Sequence, residues 1–122
     1  MARLTIALAN VSCDLPGLLD ALGPKAHRSE WTIERLHYVS RNECDIPVFH
    51  GESGARVQGA ALVSGLTDLL QVIDGDFRAF NADATAWIVL RAVDSTYWEV
   101  ISEDQAAIAA IRERFGGTDA PS

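Results

Sequence analysis

The sequence contains little cysteine, and this scarcity limits the architectures open to it. Cys13 and Cys44 are its only 2 cysteines. Two residues are too few for a disulfide framework, and their separation does not form a CxxC motif. We interpret both as buried free thiols, because an unpaired cysteine packs as a small hydrophobe. A scaffold held together by several disulfides is therefore excluded.

The chain also lacks an apolar run of the roughly 18 residues that a membrane span requires. Hydrophobic residues make up 48% of the sequence, but Gly, Asp, Arg and Pro break them into short runs. An arginine followed by a short apolar stretch near the start superficially resembles a signal peptide. We interpret residues 4–9 as a strand instead, because Thr5 interrupts the run and Asn10 ends it. The expectation is a soluble, cytoplasmic protein without a membrane partner.

Positive charge is scarce as well. Lys and Arg total 10 against 17 Asp and Glu, which gives a formal net charge of −7. A general nucleic-acid binder needs a basic surface, so we predict no nucleic-acid partner. Acidic surface of this kind keeps a protein in solution and can steer a basic partner. The imbalance is greatest over residues 43–76, where Arg56 alone opposes Glu43, Asp45, Glu52, Asp68, Asp74 and Asp76.

Sequence motifs for common enzymatic sites are missing. There is no GxGxxG and no GxxxxGK[ST], so no phosphate cradle for a nucleotide is evident. There is also no GxSxG turn and no HExxH helix, which removes the signatures of two large hydrolase groups. We predict no catalytic residues, no cofactor and no metal from motifs of this kind.

The most regular part of the chain lies between residues 76 and 115. Residues 77–80, 86–93 and 96–101 are apolar or aromatic runs separated by turn residues, a pattern typical of a three-stranded meander. The strand 86–93 is apolar on both faces apart from Arg91, which favours a central position in the sheet. Ser102 and Gln105 have the spacing of a capping box, which predicts a helix over 103–115 that ends at Gly116.

The first half of the chain is less regular. Leucines at helical spacing after Asp14 predict a helix over 15–22. Residues 30–40 alternate as a strand near a sheet edge, although a helix also fits their spacing. An irregular segment follows over 41–54, with Ile46, Val48 and Phe49 as a brief strand or an anchor of the loop. An apolar stripe then predicts a long helix over 55–73.

These elements predict a single α+β domain over residues 1–115 and a disordered tail over 116–122. We expect a mainly antiparallel sheet of about five strands packed against two or three helices. The three tryptophans are expected in its core. The side chains of Arg78, Arg91 and Glu99 are expected to form an ion-pair ladder across the meander if the register brings them to one face.

Reactive side chains concentrate in the irregular segment, which contains Glu43, Cys44, Asp45, His50 and Glu52. These residue types can bind zinc, and a thiol beside an imidazole begins a nucleophilic pair. However, the interval between Cys44 and His50 matches no zinc spacing, and no further ligands stand at a recognisable distance. A solvated acidic loop that holds one packed cysteine is the favoured interpretation.

Two functional hypotheses follow. The first is a small acidic protein without catalysis that binds a protein partner, in its most concrete form a bacterial immunity or antitoxin-like inhibitor of a basic partner. Its predicted contact residues are Glu43, Asp45, Glu52, Tyr97, Trp98 and Glu99. The second is a small enzyme or ligand-binding domain that uses His50 with Cys44 or Glu52. A third hypothesis is an oligomeric structural protein, and the aromatic residues of the sheet are the only feature that favours it.

Overall fold

The computed structural model describes residues 4–9, 14–51, 54–116 and 118–119. Its strands are β1 (Leu4–Ala9), β2 (Glu30–Ser40), β3 (Val57–Gln58), β4 (Leu69–Phe80), β5 (Ala86–Val93), β6 (Tyr97–Ser102) and β7 (Thr118–Asp119). Its helices are α1 (Leu15–Leu22), α2 (Pro24–Arg28), α3 (Gly59–Ser64) and α4 (Gln105–Phe115). Two 3₁₀ turns, Arg41–Glu43 and Pro47–Phe49, interrupt the segment between β2 and β3.

The strands form one sheet in the order β3-β2-β4-β5-β6-β1-β7, and every pairing is antiparallel. Five long strands make up its body, and the two-residue strands β3 and β7 lie at its edges. The predicted α+β architecture is confirmed, with β5 in the centre and β2 next to an edge. The segment predicted as a disordered tail contains β7, and residues 117 and 120–122 lie outside the described part of the chain.

The hydrophobic core lies on one face of the sheet, which we call the inner face. Alternate positions of the central strands, among them Phe77, Leu90 and Val100, are buried there. They form one cluster with the buried leucines of α1 and the isoleucines of α4. Trp31, Trp87 and Trp98 also belong to this cluster, as predicted. The opposite, open face carries alternate positions such as Arg78, Arg91 and Glu99. Arg91 of β5 lies opposite Glu99 of β6 and opposite Asp76 of β4, whereas Arg78 lies opposite Val89.

Side-chain caps define where the two longest helices begin. Asp14 accepts a hydrogen bond from the backbone N–H of Leu15, as its position before the leucine stripe predicts. The start of α4 differs from the predicted capping box, because Asp104 is the N-cap and accepts from the N–H of Ala107 at 3.1 Å. Ser102 instead ends β6, where its hydroxyl donates to the carbonyl of Trp87 and accepts from the N–H of Asp104.

The predicted long helix over 55–73 is wrong for most of its length. Only Gly59–Ser64 is helical, and Leu69 begins the long strand β4. The apolar spacing of Leu69, Val72 and Ile73 fits either structure, and pairing with β2 decides between them because it satisfies the backbone of both strands. Gly65 ends the helix and donates to the carbonyls of Ala61 and Leu62.

Gly59 allows α3 to approach α2 more closely than any other residue would. A Cβ at this position would lie 2.0 Å from the carbonyl oxygen of Ala26. We expect Gly59→Ala to lower the free energy of unfolding by about 3 kcal/mol, since backbone must move to remove the clash. Urea unfolding followed by tryptophan fluorescence measures this loss. The control is Gly51→Ala, whose Cβ would lie 3.6 Å from that of Ala55. Equal stability of both variants would contradict the close approach.

Candidate functional site

The segment that follows β2 is held by backbone hydrogen bonds. The N–H of Arg41 donates to the carbonyl of Asp68 at 2.7 Å, and the N–H of Cys44 donates to the carbonyl of Arg41 at 2.8 Å. Asn42 and Glu43 both adopt left-handed φ angles, which gives the turn a tight bend. The bend leaves Glu43 and Asp45 exposed, while Cys44 is half-buried and unpaired.

Apolar side chains anchor the same segment to the core, as the sequence predicts for Ile46, Val48 and Phe49. Ile46 is fully buried. Phe49 packs edge-on against Tyr38 of β2, with 4.9 Å between ring centroids, and lies 6.4 Å from the ring of Phe77. These contacts hold the part of the segment that carries Glu43 and Asp45 against the sheet. The acidic part of the segment is therefore attached to a rigid support.

The acidic residues adjoin the most exposed large hydrophobic side chains among the described residues. Val39 of β2 is 42% exposed and Leu70 of β4 is 48% exposed. The register of the two strands shifts between Val39 and Ser40, which pair with Gln71 and Leu69, so Leu70 falls at the irregularity beside Val39. Val39 also lines a shallow depression of about 400 Å³ together with Glu43, Cys44 and Asp45. We call Val39, Glu43, Asp45 and Leu70 the distal patch.

The alternative chemical site is described only in part, because Glu52 lies outside the described residues. His50 Nε2 lies 2.5 Å from Asp45 Oδ1, in an exposed pair. Among the described residues, no hydrogen bond joins the Cys44 thiol to the imidazole of His50. No group of three or more metal-ligating side chains occurs among the residues searched, which are the described ones. The enzymatic reading stays a prediction without geometric support.

The predicted contact residues on β6, which are Tyr97, Trp98 and Glu99, lie away from the distal patch. Trp98 is not available as a contact residue. Trp98 is fully buried on the inner face and packs 6.1 Å from Phe77, because alternation along β6 places it with Val100 rather than with Glu99. It is therefore unable to contact a partner. Tyr97 and Glu99 are half-exposed on the open face. Since β4 and β5 separate β6 from β2, they do not join the distal patch.

A second cluster, which the sequence analysis missed, lies on the open face. The side chain of Asp76 is only 4% exposed, and its two oxygens accept hydrogen bonds from Arg35 Nη2 and Arg91 Nε. Arg91 thus pairs with Asp76 instead of the predicted Glu99. We call Arg35, Asp76 and Arg91 the sheet triad. No local pattern in the sequence marks it, because β4 also contains Asp74 and Arg78 and the triad combines side chains from three strands.

The sheet triad controls the ionisation of Asp76. Burial pushes the pKa of this carboxyl upward, but the hydrogen bonds from Arg35 and Arg91 and their positive charges outweigh burial. The pKa of Asp76 therefore lies below its usual value. Hydrogen bonding to Asp76 likewise raises the pKa of Arg35. Asp76 is therefore ionised at neutral pH.

Similarity to known proteins offers no guide to either cluster. Comparisons with protein-family models, curated proteins and solved structures find no match. No helix among the described residues is long and apolar enough to cross a membrane. The functional argument therefore depends on the geometry of the distal patch and the sheet triad.

Replacing Asp76 tests the electrostatics of the triad. We expect Asp76→Asn to lower the free energy of unfolding at pH 7 by about 2–3 kcal/mol, because two charge-assisted hydrogen bonds weaken in a buried position. A carboxyl with a depressed folded-state pKa stabilises the fold above its unfolded-state pKa of about 3.9, and this contribution is lost as the pH falls through the folded-state pKa. The difference in free energy of unfolding between the original protein and Asp76→Asn should therefore become smaller below about pH 4.

Chemical denaturation at a series of pH values measures this difference. The exposed Glu113 provides a control, since Glu113→Gln removes a carboxylate from the surface. We expect that variant to stay within about 0.5 kcal/mol of the original protein. If Asp76→Asn lowers the free energy of unfolding as much at low pH as at pH 7, the charge of Asp76 does not stabilise the fold.

Proposed function

We propose that the protein is a small acidic binding domain without catalysis of its own, and that its distal patch holds a basic protein partner. In its most specific form, the proposal is that the protein is an immunity or antitoxin-like inhibitor of that basic partner. The observation that carries the proposal is the depression that exposed Val39 lines together with Glu43 and Asp45. Leu70 does not line it but lies at the register shift next to Val39. An apolar centre with a charged rim is the usual anatomy of a protein interface.

The apolar pair supplies the first part of the binding energy. Val39 and Leu70 leave a large share of their surface in water although they occupy strands of the main sheet. Covering a side chain of this size fully contributes about 1.5–3 kcal/mol, and partial burial contributes proportionally less. A partner side chain seated between them would regain this energy. Isolated exposed hydrophobics need no explanation, but two neighbours beside an acidic depression favour a contact surface.

The acidic rim supplies selectivity for a positively charged partner. Glu43 and Asp45 are exposed, and the imidazole of His50 contacts Asp45. The protein as a whole carries a formal charge of −7, so it attracts basic surfaces over long distances. Rim charges mainly raise the association rate and make it sensitive to salt. The proposed partner therefore has a basic surface that contains at least one apolar side chain.

The distal patch is also organised before a partner arrives. The anchors Ile46 and Phe49 and the bond from Arg41 to Asp68 hold the acidic turn in place. Binding to an ordered surface loses less conformational entropy than binding to a disordered loop. This preorganisation supports the patch as a docking surface in preference to the half-exposed residues Tyr97 and Glu99.

The first test identifies a partner and then measures its contact with the patch. Tagged protein is used for affinity capture from the native lysate at low and moderate salt, and the retained proteins are identified and purified. Calorimetry then compares the original protein with the double variant Glu43→Gln/Asp45→Asn. We expect this variant to bind roughly tenfold more weakly at low salt, with a smaller difference at high salt.

Two further variants make the result specific. Glu103→Gln/Glu113→Gln removes the same charge from exposed positions around α4 and should leave the affinity nearly unchanged. Leu70→Ser should weaken binding at both salt concentrations, because apolar contact is not screened. If the patch variant and the control double variant lose the same affinity for the partner, the acidic residues of the patch act only through the net charge of the protein. Unchanged binding by Leu70→Ser would contradict the docking surface.

A further inference from the structure

The sheet triad forms one wall of a pocket on the open face. The pocket has a volume of about 300 Å³, which is at the lower end of the range for small-molecule sites. Arg35, Asp76 and Arg91 line one part of it, and His37 and Asp74 line another. We call it the sheet pocket. It is separate from the distal patch, which adjoins a different depression.

The two arginines keep hydrogen-bond donors that the protein does not use. Asp76 engages Arg35 through Nη2 and Arg91 through Nε. Each guanidinium has five N–H donors, and neither has a further hydrogen-bond or ion-pair partner among the described residues. The side chain of Arg35 is 71% exposed. A buried carboxylate thus holds two guanidinium groups together with donors left over, an arrangement suited to a carboxylate ligand.

The backbone at Arg35 is arranged to deliver this side chain. Arg35 has a φ of 54°, in the left-handed region, and the register between β2 and β4 shifts between Glu34 and His37. Such irregularities turn a side chain away from the regular alternation of the strand. Left-handed backbone at a residue other than glycine costs stability, and costs of this kind collect at functional sites.

The pocket has positive and negative groups at its two ends, and the charge of Asp74 acts on Arg35 across it. At the first end the two arginines and Asp76 sum to one positive charge, and Glu99 of β6 lies opposite Arg91 in register. At the second end, Asp74 Oδ1 accepts from the N–H of Asp94 at 2.9 Å, and Asp74 Oδ2 lies 3.6 Å from His37 Nδ1. The Asp74 side chain remains 42% exposed, so it is accessible to a ligand. A simple anion matches only the first end, whereas a molecule with both charges matches the whole pocket.

We propose that the sheet pocket binds a small zwitterion with the charge arrangement of an α-amino acid. Its carboxylate accepts hydrogen bonds from Arg35 and Arg91, and its ammonium group donates to Asp74. Asp76 orients the two arginines and does not contact the ligand. This site is independent of the proposed docking of a protein partner, so either one can fail without the other.

The test uses the full chain and the common L-amino acids, each at about 10 mM, or at saturation for the poorly soluble tyrosine. Acetate and methylammonium at the same concentration represent the two halves of the ligand. Ligand binding to the folded state raises the unfolding temperature according to concentration and Kd. We expect at least one amino acid to raise it saturably and to shift the amide NMR signals of Gly75 and Ala92. Acetate and methylammonium should each bind at least roughly tenfold more weakly.

Three variants assign the contacts. Arg35→Gln leaves the bond between Arg91 and Asp76 in place and should lower the affinity for the amino acid at least roughly tenfold. The control Arg28→Gln, at an exposed site on α2, should not change this affinity. Asp74→Asn can still accept the hydrogen bond from the N–H of Asp94. This variant should bind the amino acid more weakly but should bind acetate as before. The proposal is overturned if no amino acid binds, if acetate binds as tightly as the best amino acid, or if Arg35→Gln binds it unchanged.

Discussion

The antiparallel pairing of β2 with β4 is the constraint on which the rest of the structure depends. The register runs from Glu30 opposite Phe80 to Ser40 opposite Leu69 and shifts at three places on the way. Its first shift surrounds the left-handed Arg35 and its last leaves Leu70 at the surface. Both candidate sites therefore arise at irregularities of one ladder. Regular alternation along these strands would direct the same side chains elsewhere.

The opposite end of this ladder is where the helices and the sheet are joined. Trp31, which pairs with Ala79, donates its indole N–H to the carbonyl of Ala26 in α2 at 2.9 Å. Trp87 packs edge-on against Trp31 and donates to the hydroxyl of Ser29 at 2.9 Å. A buried indole needs such a partner, so these bonds specify how α2 meets the sheet. The firmly packed end supports the exposed end that carries the distal patch.

Local patterns in the sequence predicted several elements. Alternation predicted β2 and β6, an apolar run between turn residues predicted β5, and the leucines after Asp14 predicted α1. The apolar residues over 69–73 fit a helix and a strand equally, and only β2, which lies far away in sequence, decides between them. The acidic turn was predicted from composition, whereas the exposure of Leu70 depends on a register shift. The role of Asp76 depends on side chains from three strands, which no local pattern reveals.

Contact between a partner and the distal patch can be mapped without any substitution. Hydrogen–deuterium exchange of the captured complex is compared with that of the free protein. We expect slower exchange over residues 38–45 and 69–71 in the complex, with little change in α1 and α4. Protection confined to α1, α4 or β6, with unchanged exchange in the two patch segments, would contradict it.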